Sequence, residues 1–191
     1  MLLGVLALIL AAILAVRTGM NARTGLALLG VVPAAFFAYS LATARGVPPI
    51  NDISTDLVYP PAFTHAKTLP ANTGRDMAYP ETFKAQVEEA YPDMQSLGLT
   101  RKRDDVFAKA MDIAKARDGW EITSTTISGN ESVFEGTATT RVFGFVDDFV
   151  VRITDADNGV VVDMRSKSRD GRRDLGANAA RIREFFADLQ R

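Results

Sequence analysis

The sequence predicts an α+β domain: an antiparallel sheet of four to five strands with a packed C-terminal helix, preceded by a two-helix transmembrane hairpin. Three observations carry that expectation. The first 45 residues are apolar and contain no Asp or Glu. Four runs between Trp120 and Ser168 are rich in β-branched and aromatic residues, separated by Gly and Asn. Finally, apolar residues between Leu175 and Leu189 recur at helical spacing. The expected organisation is a hairpin over 1–45, an extended Pro-rich linker over 46–79 and a soluble α+β domain over 80–191.

The hairpin comes first. MLLGVLALILAAILAV is uncharged, RTGMNAR follows, and Thr24–Ala44 is an apolar stretch of 21 residues. A bilayer needs ~20. Pro33 is tolerable there. Arg17 at the end of the shorter first stretch can snorkel to the interface. No cation precedes the first run and a second follows at once, which does not suit a cleaved signal peptide. Arg17 and Arg23 put positive charge between the spans, whereas Arg45 is soon followed by Asp52 and Asp56. The positive-inside rule then keeps RTGMNAR in the cytoplasm and sends the C-terminal domain across the inner (plasma) membrane. Ala7, Ala11 and Ala15, and Gly30, Ala34 and Ala38, form small-residue stripes that let helices approach. Common alanine explains them equally well.

Residues 46–80 carry six of the eight prolines. They read as extended and turn-rich, with a short strand near Asp52–Val58. His65 is the single histidine, without neighbours to complete a metal site. Pro80–Tyr91 reads as a short helix ended by Pro92. DDVFAKAMDIAKARDG is a second, with Val106, Phe107, Ala110, Ile113 and Ala114 on one face and Gly119 past its end.

WEITSTTI and SVFEGTATTRVF are joined by Gly-Asn; DDFVVRITDA and GVVVDMRSKS are joined through Asp157, Asn158 and Gly159. A two-residue Asn158-Gly159 turn would set Ile153 against Met164, Val151 against Ser166 and Phe149 against Ser168 on the core side. On the other side it sets Thr154 against Asp163, Arg152 against Arg165 and Val150 against Lys167. On the preceding strand Phe134, Gly136, Ala138 and Val142 alternate inward, leaving Glu135 and Arg141 outward. The terminal helix would present Leu175, Ala179, Ile182, Phe186 and Leu189, with Asp174 as N-cap. Trp120 is expected in the core. The βαββββα order resembles a reduced helix-grip fold, the architecture of START-type lipid-binding domains.

Arg141, Arg152 and Arg165 would then share the outer face with Glu135, Asp148 and Asp163. Two arginines directly opposite repel unless acids compensate. Three readings stay open: a solvated face of ion pairs, an anion or headgroup site suited to Arg forks, and a protein-contact surface. On the core side Ser166, Ser168, Ser124 and Thr126 either bond to backbone or orient a ligand at the end of an apolar cavity. The candidate ligand-binding residues are therefore Arg141, Arg152, Asp163, Arg165, Ser166 and Ser168.

The stretches PPINDISTD and PPAF, TTRVFGFVDDFVVRI, and DMRSKSRDGRRDLGANAARIREF resemble the family known as domain of unknown function 1499, and GWEI after a helix fits it too. The resemblance covers roughly residues 47–190. It implies a domain that follows two or more hydrophobic spans, and it implies no activity. Members usually carry Ser where this chain has Arg173, so no role is assigned to a hydroxyl there. In this setting Asp174 caps the helix, Gly176 allows close helix–sheet contact and Asn178 bonds a neighbouring loop.

Composition narrows function. Net charge is -1, and the three arginines of the first 45 residues leave 19 cations against all 23 acids beyond them. That balance does not suit nucleic acid. With no Cys, thiol chemistry and thiolate metal sites drop out. There is no Ser-His-Asp set, phosphate-cradling Gly loop or nucleotide fingerprint. Asp147 and Asp148 are neighbours in a strand and point to opposite faces. The expectation is a membrane-anchored envelope protein without cofactor, for which the sequence offers no catalytic set and leaves enzymatic activity open as the lesser reading. Its extracytoplasmic domain would bind a lipid or another apolar or anionic small molecule. A non-catalytic scaffold for envelope proteins is the alternative.

Overall fold

The computed structural model describes residues 47–191 except Val142, together with Val31, Ala34 and Ala35. The expected hairpin otherwise lies outside the described residues, as does the inward position assigned to Val142. Among the described residues no helix is long and apolar enough to cross a membrane. Contacts divide the chain into Met1–Val47 and Pro48–Arg191. The fold described below is that of the second unit.

Its elements are β1 (Asp52–Ser54), two 3-10 turns (Ala66–Thr68 and Pro70–Asn72), α1 (Glu81–Ala90), β2 (Leu97–Leu99), α2 (Arg103–Ala116), β3 (Trp120–Ser128), β4 (Glu131–Thr139), β5 (Val146–Ala156), β6 (Gly159–Ser168) and α3 (Ala177–Gln190). The sheet has six strands in the order β1-β6-β5-β4-β3, with β2 also paired to β6. Every pairing is antiparallel. The architecture is thus α+β with a C-terminal helix, and the sheet gains its extra strands from short segments that β6 recruits. Six residues suffice because β6 already offers an unpaired edge of N–H and C=O groups.

One face of the sheet is covered by helices. α2 contacts β3, β5 and α3, while α3 lies on β6 and β1. Alternation along the strands sends Phe134, Phe149, Val151, Ile153, Val162 and Met164 to this side, all buried. Phe185 of α3 and the half-buried Trp120 join them. Ring centroids lie 4.4 Å apart for Trp120–Phe149 and 6.0 Å for Trp120–Phe185. The space between sheet and α3 is therefore filled with rings. Gly136 is the permissive point in this layer: a Cβ there would come within 2.5 Å of both the Glu121 carbonyl and the Phe149 ring.

The other face is covered by residues 48–79. The expectation of an extended linker is corrected here, since this strap belongs to the same compact unit as the sheet. Phe63, Ala66 and Met77 are buried against Val150, with Leu69 and Val133 alongside. Proline-rich chain does this well: it has little conformational freedom to lose and few N–H groups to satisfy.

Two further expectations are corrected. The β5–β6 register pairs Ala156 with Gly159, so Asp157 and Asn158 are the turn residues. Every cross-strand pair moves by two residues, which preserves faces but changes partners. Phe149 faces Ser166, Val151 faces Met164 and Ile153 faces Val162. Gly159, at φ +130 with the Leu99 carbonyl 2.1 Å from where a Cβ would sit, belongs after the turn because β2 presses on it. At the C-terminus, α3 begins at Ala177 and buries Phe185, whereas Phe186 is half-buried and Leu175 is 67% exposed. Ala179, Ile182 and Leu189 are buried as expected; Leu175 lies before the helix, and Phe185 rather than Phe186 fills the core. The N-cap is Gly176 and not the expected Asp174, whose carboxylate nonetheless accepts the N–H groups of Gly176 and Asn178 at 3.0 and 2.9 Å.

Candidate functional site

The six candidate residues do not form one site. Arg141 is exposed in the β4–β5 loop, where it pairs with Asp118 and sits apart from the others. Arg152 and Asp163 face each other across β5 and β6 and are joined at 2.9 Å. The expected repulsion of Arg152 and Arg165 does not arise, because the shifted register puts an acid opposite Arg152 and Val150 opposite Arg165. Arg152 also reaches Asp56 at 2.8 Å. Burial lowers the pKa of its guanidinium, but the Asp163 and Asp56 carboxylates outweigh burial and hold it above its usual value. Asp163 accepts additional bonds from the Ser96 and Thr55 hydroxyls, so this cluster ties the strap to β6.

Ser166 and Ser168 lie on the helix side. Ser166 Oγ donates to Asn178 Oδ1 at 2.7 Å and accepts from Arg181, while Asn178 Nδ2 donates to Ser168 Oγ at 3.0 Å. Arg181 also pairs with Asp147. Both serines are buried and receive the first turn of α3. Hydroxyls and an amide there satisfy one another where the apolar layer ends.

Arg165 is 2% exposed. Placing it on a solvated face is therefore corrected: the strap covers that face. Its guanidinium forks Asp52, with Nε to Oδ1 at 2.9 Å and Nη2 to Oδ2 at 2.8 Å. Asp52 is fully buried and also accepts from Lys167 at 2.9 Å. Nη1 donates to the Pro61 carbonyl and Nη2 to that of Met77, two points on the strap. The ring of Phe63 lies 4.6 Å from the guanidinium carbon and that of Tyr79 5.1 Å. Four of the five guanidinium N–H groups are thus used, leaving one on Nη1. The other carboxylates of this face are equally engaged. Asp148 takes a bidentate Arg169 at 2.9 and 2.6 Å. Glu135, wholly buried and expected outward, accepts the N–H groups of Thr64, His65 and Ala66 and the Thr64 hydroxyl. It caps the first 3-10 turn, and the backbone of His65, not its imidazole, serves there.

Beside Arg165 the strap and α1 line an open pocket of about 550 Å³. Its walls are apolar at Val58, Phe63 and Met77 and cationic at Lys67, Arg75, Lys84 and Arg165, with Glu81 the one carboxylate. Lys84 pairs with Glu81 at 2.9 Å; Arg75 donates to the Ser168 and Arg169 carbonyls. The Nε of Arg75 is buried without a partner, and so is the Tyr79 hydroxyl, close to the Ser54 backbone but not in a hydrogen bond of good geometry. Burial, then the Asp52 charge, push the Tyr79 phenol well above its ordinary pKa, so it is a neutral donor. A cationic donor set in a concavity of mixed polar and apolar lining is suited to orienting an anion. Among the described residues no group of three or more His, Cys, Asp or Glu converges to hold a metal ion.

Of this pocket, sequence reasoning found only Arg165. Lys67, Arg75, Tyr79 and Lys84 come from the strap and α1, and no periodicity links them to β6. Asp52 carried the one available signal: an acid at the start of a short strand, available to pair with a basic strand.

The family description "protein of unknown function (DUF1499)" matches residues 52–189, and the chain belongs to that family. No curated protein and no solved structure matches it.

Proposed function

We propose that this DUF1499 protein is a membrane-tethered binding module of the cell envelope whose strap pocket takes an anionic small molecule with an apolar portion. The observation that carries this is the pocket lining: four cations and one acid, around apolar and aromatic walls. A volume near 550 Å³ lies inside the ~300–1,000 Å³ of small-molecule sites. The ligand's charge would meet Lys67, Arg75 and the remaining Nη1 donor of Arg165, and its apolar part would lie along Phe63 and Met77. This keeps the anion site on the face where Arg165 was expected, beneath the strap, and sets aside an apolar cavity under α3, where rings pack. The strand order with α3 laid across it still resembles a helix-grip fold, a likeness of architecture that carries no function.

The tether is residues 1–45, read as two spans with the domain outside the cytoplasm. A phosphatase fused to the C-terminus should then be active in a bacterial host; an inactive phosphatase beside an active cytoplasmic reporter would reverse the topology.

The pocket is tested by native mass spectrometry of the intact chain in mild detergent. Lys67→Glu with Lys84→Glu changes two side chains at the pocket mouth and leaves the Asp52–Arg165 pair alone. Wild type should retain an anionic molecule that the folded double variant loses. Equal retention by both, or an empty wild type, overturns the reading.

A further inference from the structure

We propose that the end of the sheet where the chain enters the domain is a docking surface for a lipid bilayer, with Phe143 and Phe145 as its anchors. Strand pairing brings three segments to that end. Thr139 of β4 pairs with Val146 of β5, so the loop 140–145 projects there. The N–H of Arg169 meets the Val146 carbonyl, which puts residues 169–176 beside it. The Ser168 and Asp174 N–H groups meet the carbonyls of Asn51 and Ile50, which adds the entering chain. From β1 to β4 is three strand spacings, or ~15 Å.

The side chains at this end are unusual for a solvent-facing surface. Phe143 and Phe145 are 53% and 51% exposed and stack on each other with centroids 5.4 Å apart. Leu175 is 67% exposed at φ +54, a left-handed backbone that a bulky residue rarely adopts. Its backbone is held there by the Asp174 carboxylate, which accepts the N–H groups of Gly176 and Asn178. Arg172 and Arg173, with Arg141 on its Asp118 partner, are exposed in the same two segments, and Asp170 is the exposed acid among them. Aromatic rings beside guanidinium groups are what a membrane–water interface accommodates: rings at the headgroup level, cations toward phosphate. At the opposite end, near the 129–130 turn, Ile127 stands exposed without an aromatic pair.

The occupant follows from the chain's reach. Ala44 ends the expected second span and Pro48 begins the domain. Four residues extend at most ~14 Å. If residues 24–44 cross a bilayer, this end cannot be far from its surface. The inference therefore rests on the tether reading, though not on the pocket reading.

The test uses the full chain reconstituted in vesicles of phosphatidylcholine and phosphatidylglycerol with brominated acyl chains, which quench tryptophan on contact. The single native Trp120, packed on Phe149 and Phe185, gives the background. Phe145→Trp should lose most of its added emission, and Ile127→Trp should keep it. Flotation of the vesicles reports the tether separately. A chain that floats while Phe145→Trp stays bright overturns the docking and leaves the tether standing; a tip that seats a partner protein gives this same result. Equal quenching at both positions overturns the assignment to this end. A chain that does not float overturns the tether and the docking together.

Discussion

The two faces of the sheet are both buried, by opposite means. Under α2 and α3 the layer is apolar, with Phe134, Phe149, Phe185 and Trp120 in ring contact. Under the strap, Asp52, Glu135, Asp148 and Arg165 are nearly inaccessible, and every carboxylate is bonded. A helix satisfies its own backbone and needs only an apolar stripe beneath it. The strap has almost no regular structure, so its N–H and C=O groups need partners, and side chains of the sheet supply them. Glu135 takes three strap N–H groups, and Arg165 serves the Pro61 and Met77 carbonyls. The charged face is what fixes an irregular segment in one place. It is also where a pocket lined with cations can form.

The largest losses should come in one substitution on each face. Phe185→Ala should destabilise the chain by about 3–5 kcal/mol in thermal or denaturant unfolding. Phe186→Ala should cost roughly half that or less, because its ring is only half-buried. Equal losses would return the buried stripe to the other phase of α3. Arg165→Met should also cost about 3–5 kcal/mol, by taking the bidentate partner from a buried carboxylate and the donors from the Pro61 and Met77 carbonyls. An exposed ion pair would cost under about 1 kcal/mol, so this substitution separates a covered face from a solvated one.

A middle-sized effect is expected at Gly136→Ala. The added methyl meets the Glu121 carbonyl and the Phe149 ring, and overpacking of this kind costs about 1–3 kcal/mol. A neutral result would show that the helix-covered layer yields more easily than its ring contacts imply.

The smallest effect belongs to the strap face and appears in alkali. The folded state holds the Tyr79 phenol protonated above its ordinary pKa, while the unfolded chain releases that proton near pH ~10. The native state then binds more protons than the unfolded state, and stability falls as pH rises from there. This contribution is fully present below pH ~10. Tyr79→Phe should flatten the alkaline loss; an unchanged pH profile would mean that Tyr79 is ionised as readily as an exposed tyrosine.

Much of the helix-covered face was legible. Val106, Ala110 and Ala114 recur at helical spacing, and the four long strands alternate, so elements and inward sides follow from period alone. The register was not, because Asp157-Asn158 and Asn158-Gly159 are both plausible two-residue turns; β2 pressing on Gly159 decides between them. The strap was less legible still. Its proline content reads as linker, and its burial depends on long-range partners: Asp52 with Arg165, Ala66 with Glu135, Asn72 with Asp148. No local pattern encodes contacts some 70 to 115 residues apart in sequence. The serines of β6 drew notice as polar groups at the end of an apolar layer; their partners, Asn178 and Arg181, come from α3, and strand alternation alone does not reveal them.

The most direct test of the covered, ion-paired face is a double-mutant cycle on Asp52 and Arg165 in the full chain, read by unfolding free energy. Asp52→Leu strands Arg165 and Lys167; Arg165→Met leaves the buried Asp52 with Lys167 as its remaining charge partner. Each single change should cost several kcal/mol, about 3–5. The double change removes the Asp52–Arg165 pair and leaves only Lys167 without its partner, so it should cost less than the sum, with a coupling within the ~0.5–3 kcal/mol seen for contacting residues. Losses that add to within about 0.5 kcal/mol would mean the two side chains act independently, and would contradict the strap as a segment held over the sheet by this pair.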